Sequence, residues 1–137
     1  MVLKVKQIIK ELNGKITVRG ESGIGAFMGT WMSRYITPET DKIYSCELSL
    51  PEIKGEEMKI KRFRDMPTYT DITLDDKVVF KGVCIAVEDG SMVVGFTNDW
   101  IECFEFGEVE LHQYDTVTFL LDKEEILIYP YDEAQSE

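Results

Sequence analysis

Residues able to do chemistry are few in this chain. It holds one histidine, His112, and three cysteines, Cys46, Cys84 and Cys103. A thiolate made by a neighbouring imidazole is a strong nucleophile, and a lone imidazole can serve as a general base or a pH sensor. His112 lies in Leu111-His112-Gln113-Tyr114-Asp115, which reads as a loop before a strand. No hydroxyl or thiol stands beside it in sequence, so it reads as a surface-loop histidine. The cysteines are odd in number, widely spaced and set in apolar-rich segments. They are expected to be reduced, buried thiols.

The glycine cluster Gly20-Glu21-Ser22-Gly23-Ile24-Gly25 fails each phosphate or nucleophile motif at the residue that does the chemistry. A P-loop needs Lys and Ser/Thr after its last glycine to reach phosphate and Mg²⁺. Here Ala26-Phe27 comes next. The spacing from Gly23 through Gly25 to Gly29 is wrong for a dinucleotide fingerprint. Around Ser22, Ile24 stands where a nucleophile elbow needs glycine. These glycines read as turn and strand-bending residues. The acids around Asp71–Asp76 and Glu88-Asp89-Gly90 lack the oxygen-ligand register of a calcium loop, and one histidine without C-x-x-C does not suit zinc. No metal and no cofactor is expected. Carboxylate pairs carry no signal among 26 acids in 137 residues, because close pairs then arise by chance. The chain is not expected to be an enzyme.

Charge is the strongest sequence feature. Residues 87–137 hold fourteen acids and one base, Lys123, while the preceding residues carry a slight basic excess; the net charge is −11. Such a surface repels phosphates and attracts cations or basic proteins. Nucleic acid is therefore not an expected partner. The one basic cluster, Lys54, Lys59, Lys61, Arg62 and Arg64 around Phe63, reads as an edge strand whose charges discourage aggregation. No apolar run approaches the ~20 residues of a membrane helix, so no membrane partner is expected. Met1–Lys6 lacks the continuous apolar stretch of a signal peptide, and the expected location is cytoplasmic.

The elements that must position these residues are mostly short and β-like. Val5, Ile8, Ile9 and Leu12 match one helix face, with Gly14 suited to the position after its C-cap. This predicts a short N-terminal helix. The competing reading is a hairpin through Asn13-Gly14 into the strand Lys15–Arg19. Ile24–Tyr35 is a long, glycine-punctuated strand. Lys42–Leu50 alternates, with Tyr44, Cys46, Leu48 and Leu50 on its apolar side. Met58–Phe63 reads as a short strand and 65–76 as irregular. Val78–Val87 and Met92–Phe96 form a hairpin through Asp89-Gly90. Asp99 and Glu102 form a capping-box pattern that suits a further short helix over Trp100–Phe106, with a strand as the alternative. Thr116–Leu121 and Glu125–Tyr131 read as a terminal hairpin, with Pro130 at the end of an edge strand.

These elements predict a mainly β fold, a small closed or partly open antiparallel barrel. The early glycine-bearing strand and the lead from Tyr114 into Phe119 resemble an OB-like fold. The domain is expected to span residues 1–131, with 132–137 an acidic, frayed tail.

Two functions emerge as expectations. The first is a non-enzymatic acidic interaction protein binding a basic protein, one concrete form being an immunity-type inhibitor of a basic toxin. Its binding residues would be Trp100, Glu102, Phe104, Glu105, Glu108, Glu110 and Tyr131, with the aromatics as anchors in an acidic rim. The second is a small-ligand barrel or small enzyme with a pocket formed by Trp31, Tyr35, Tyr44 and His112.

Overall fold

The computed structural model describes residues 1–131; the expected tail at 132–137 lies outside the described residues. The chain is mainly β, with eleven strands and no α-helix among the described residues. The strands are β1 (Val2–Lys10), β2 (Ile16–Ser22), β3 (Gly25–Trp31), β4 (Ile43–Ser49), β5 (Met58–Lys61), β6 (Tyr69–Ile72), β7 (Lys77–Glu88), β8 (Ser91–Thr97), β9 (Trp100–Glu105), β10 (Thr116–Asp122) and β11 (Leu127–Pro130).

Five of them close into a ring. β1 pairs with β2 and β4, β2 with β3, and β11 lies between β4, antiparallel, and β3, parallel. Everything between β4 and β11 is an insertion carrying β5 to β10. It joins the ring's sheet at β3, where Gly25 pairs with Thr70 of β6. β7 is the spine of the insertion. Its first half pairs with β6 and β10, and its second half with β8, which in turn carries β9.

The predicted N-terminal helix is instead strand β1, joined to β2 through the Asn13-Gly14 turn. A register shift between Val5 and Gln7 explains the misreading. One extra residue in a period-two strand spaces its inward side chains by three, which imitates a helix face. Leu12, counted on that face, is fully exposed. The second helix is strand β9. Trp100 and Phe104 point inward from it, and the Glu102 carboxylate accepts from Trp100 Nε1 at 2.9 Å rather than capping a helix. The stretch 65–76, expected to be irregular, contains β6.

The terminal hairpin does not form. β10 pairs with β7 and β5, β11 with β4 and β3, and a 3-10 turn at Lys123–Glu125 separates them. Pro130 does end a strand, but one flanked on both sides. The Asp89-Gly90 hairpin is as expected. Both residues take the positive φ of 31° and 81° that a type I′ turn demands.

An aromatic cluster binds ring to insertion. Phe27 of β3 meets Phe80 edge-on at 5.9 Å and Trp100 at 6.0 Å; Phe80 stacks on Phe119 at 5.3 Å; Phe104 meets Phe119 at 5.2 Å. Each such side chain contributes about 1.5–3 kcal/mol by burial, and each pair about 0.5–1.5 kcal/mol more. Two glycines are required by close approach. A Cβ on Gly20 would overlap the Lys4 carbonyl beside the β1 bulge, and one on Gly25 would overlap the Thr70 carbonyl where the insertion joins. Ser22 is held at that same junction. Its hydroxyl lies 2.8 Å from Thr70 Oγ1 and donates to the Gly25 carbonyl, which leaves it a structural role.

Candidate functional site

Two regions gather the polar chemistry, one acidic and one basic. The acidic region surrounds β9. Glu102, Glu105, Glu108 and Glu110 lie on β9 or just after it, and Glu88 and Asp89 at the β7–β8 turn. Of these, Glu105, Glu108 and Glu110 are exposed and Glu102 is half-buried. Among the described residues Glu88, Asp89, Asp99, Glu102, Glu105 and Glu108 have no ion pair, and Glu110 meets only His112, at 3.3 Å. Burial pushes the Glu102 carboxyl above its ordinary range. The Trp100 indole bond and then the N-terminal ammonium oppose that shift, and the Glu47 charge adds to it.

Three of the expected partner-binding residues, Trp100, Glu102 and Tyr131, line one cleft of about 280 Å³ with Glu47 and Asp99. Its walls come from β4 of the ring and β9 of the insertion. Tyr131 Oη donates to Glu47 Oε1 at 3.2 Å, and partial burial with that carboxylate raises the phenol's pKa. Trp100 and Phe104 are core residues, 4% and 3% exposed. They cannot act as surface anchors while the core is intact, because Trp100 packs on Phe27, Phe80 and Phe96 and Phe104 on Phe119. Exposed Ile101, beside Trp100, is the apolar group that β9 presents outward. The strict alternation of β9 is the signal that would have found this, once the segment is read as a strand.

The second expected pocket does not assemble. Trp31 and Tyr44 pack edge-on at 5.0 Å, both buried. The Trp31 indole donates to the Ile36 carbonyl at 2.7 Å, and the Tyr44 hydroxyl accepts the Glu39 N–H and donates to the Thr37 carbonyl. Tyr35 is 92% exposed. His112 belongs to the insertion, beside Asp115 and Glu110. Trp31 and Tyr44 therefore serve packing around the ring's loop 32–42.

The cysteines are not all buried. Cys103 is exposed on the outer face of β9. Burial pushes the thiol of Cys46 up to about 11. Burial, with the Asp115 charge second, does the same for Cys84, also to about 11. Such thiols are poor nucleophiles. Cys84 donates to the Ala86 carbonyl, not to His112.

The basic region centres on β5, which is an edge strand as expected, pairing with β10 alone. The loop leaving β5 is more specifically built. Asp115, 1% exposed, accepts the backbone N–H groups of His112 at 2.9 Å and Phe63 at 3.4 Å and meets Arg62 Nε at 3.3 Å. Thr116 Oγ1 donates to the Phe63 carbonyl and accepts the Asp65 N–H. This knot pins the loop after β5. Phe63 and Tyr114 both take left-handed backbone, φ 67° and 71°, and both rings are exposed, 72% and 56%. A bulky residue there costs on the order of 1–3 kcal/mol, and neither ring recovers it by burial.

Beside the loop lies a cleft of about 270 Å³. Its floor is Val83, Ile85, Gly95 and Phe96, and its mouth carries Arg64, Asn98 and Tyr114. The predicted Asp89-Gly90 hairpin joins the floor residues of β7 and β8, but nothing in the sequence pattern brings Arg64 or Tyr114 to them.

Among the described residues no group of three or more His, Cys, Asp or Glu side chains is placed to hold a metal ion. No helix of the described chain is long and apolar enough to cross a membrane. No family model, curated protein or solved structure matches the chain.

Proposed function

We propose that this protein is a non-enzymatic interaction module, an OB-like barrel whose acidic insertion docks a basic protein. The observation that carries this reading is the group of exposed carboxylates Glu88, Asp89, Glu105 and Glu108 around β9, which make no ion pair among the described residues. In the ring's loop 32–42 Asp41 pairs with Lys6 and Glu39 with Lys42, whereas Glu105 and Glu108 make no ion pair among the described residues and stay open to a cation from outside. Unpaired carboxylates that face solvent raise the encounter rate with a basic partner and orient it. The OB-like assignment rests on the five-stranded ring, in which a strand reached by a long connection returns between the third and fourth. A basic toxin, such as a nuclease neutralised by carboxylates seated in its phosphate site, is the concrete partner class. Glu102, Glu105, Glu108, Glu110 and Tyr131 are the residues that would meet it, with Ile101 as the apolar contact.

The test is association with a panel of folded basic proteins at low and moderate salt. A cognate partner should bind with an on-rate that drops about tenfold or more as the Debye length shortens from ~30 to ~8 Å. The combined variant Glu105→Lys, Glu108→Lys, Glu110→Lys should lose that steering. Binding that this variant leaves intact at every salt concentration would reject the acidic face as the interface.

A further inference from the structure

Among the described residues Arg64, like Lys54 and Lys59 of the same basic cluster, makes no ion pair, and of the three it alone lines a cleft with an apolar floor. Lys61 and Lys81 share Asp65, at 3.3 and 3.1 Å, and Arg62 pairs with Asp115. Arg64 stands at the mouth of the 270 Å³ cleft, over an apolar floor. From this we infer that the cleft is a binding site for a small aromatic anion, distinct from the acidic face and independent of it.

Each wall specifies one part of that ligand. Val83, Ile85, Gly95 and Phe96 offer no hydrogen bonds from their side chains. The hydroxyls of Thr68 and Thr97, which also line the cleft, are already engaged with the Phe96 carbonyl and the Asp99 N–H, so the body that fills it is mainly apolar. Gly95 creates the depression: a side chain there would meet the end of Ile85. The Tyr114 ring, held outward by its left-handed backbone, is a face on which a flat ring can lie. A guanidinium only donates, so its complement is an acceptor, and a charged one is the strongest. Asn98, also at the mouth, can add a further donor. The cleft falls near the lower end of the roughly 300–1,000 Å³ usual for ligand sites, which limits the body to a small ring system.

The net charge of −11 does not prevent this. Among the described residues Arg64 is the one charged residue that lines the cleft, and Lys61, Lys81 and Arg62 nearby are matched to Asp65 and Asp115, so the charge left to a ligand is that of Arg64. At physiological salt more distant acids are screened within about 8 Å. Carboxylate and phosphate present the same chemistry to Arg64, and the probes separate them.

The experiment titrates the full chain with 2-naphthoate, 2-naphthyl phosphate and uncharged 2-naphthalenemethanol, monitored by tyrosine and tryptophan fluorescence and by calorimetry. At least one anion should bind one per chain, about tenfold or more tighter than the alcohol, as expected for a charge-assisted hydrogen bond. Arg64→Ala should erase the difference between anion and alcohol while leaving thermal unfolding unchanged, since Arg64 is exposed. Gly95→Ala should weaken all three probes by driving Ile85 into the cleft. The inference is overturned if no probe binds below about 1 mM, if anion and alcohol bind alike, or if Arg64→Ala retains the preference. It is equally overturned if an oligothymidylate binds more tightly than both small anions, which would make the patch a single-strand platform.

Discussion

Asp115 accepts the backbone N–H of Phe63 at 3.4 Å across fifty-two residues of sequence. That bond, with the Arg62 ion pair and the His112 N–H, makes one buried carboxylate the anchor of the basic loop, the histidine loop and the cleft mouth together.

Asp115→Ala should therefore destabilise the chain by about 2–4 kcal/mol. It leaves two N–H groups and a guanidinium without their acceptor, and the exposure of Arg62 keeps the figure at the lower end for a buried pair. Urea unfolding checks this, and a loss under ~1 kcal/mol would show that water replaces the carboxylate.

Gly25→Ala should cost more than Gly14→Ala. At Gly25 a Cβ would collide with the Thr70 carbonyl at the single junction of β3 with β6. Gly14, φ 85°, has open space around it, so only backbone strain of about 1 kcal/mol opposes a side chain. Similar midpoints for the two variants in denaturant would remove the junction's claimed rigidity.

One thiol of three should react with an aromatic disulfide reagent at pH 8 in the native state. That thiol is Cys103; Cys46 and Cys84 should react only on unfolding. Because the folded pKa values of Cys46 and Cys84 are raised to about 11, both protons are held more tightly by the folded chain. Their contribution to stability is full below the unfolded thiol's range and declines from about pH 9 to 11. Cys46→Ala should flatten part of that alkaline decline, and an unaltered pH profile would contradict the assignment.

Glu102→Gln should leave stability at pH 7 unchanged or raise it by about 0.5–1 kcal/mol. The raised carboxyl pKa means the charged form is disfavoured in the fold. Its contribution is therefore present at low pH and lost as pH rises through the folded pKa. The amide oxygen can still accept from Trp100 Nε1. A loss above ~1 kcal/mol would mean that the charge itself is structural.

Local signals are legible in the sequence and distant ones are not. The Asp89-Gly90 turn dictates its hairpin through two residues' φ values, so composition alone reveals it. The alternation of Tyr44 and Cys46 against Ser45 and Glu47 likewise marks the inner face of β4. β1 misleads because a bulge after Val5 alters its period, and β10 and β11 because each finds its partners far along the chain. The acidic skew points to the β9 surface, though two of the aromatics expected there as anchors, Trp100 and Phe104, are the insertion's own core. The Asp89-Gly90 hairpin brings Val83 opposite Gly95 and is legible. The cleft as a whole is not, because Arg64 and Tyr114 reach it through contacts far along the chain, among them the Tyr114 N–H to the Cys84 carbonyl and the bonds of Asp115.

The strand that seals the ring, β11, comes after the entire insertion in the chain. Until it arrives, β3 and β4 each lack a neighbour, and both expose backbone edges able to recruit foreign strands. Sealing also requires contacts across residues 50–126, a high contact order that slows folding. The insertion can collapse around Phe80 and Phe119 beforehand. Synthesis therefore makes the edges of β3 and β4 early and covers them last, so the half-made barrel passes through an interval in which self-association competes with closure.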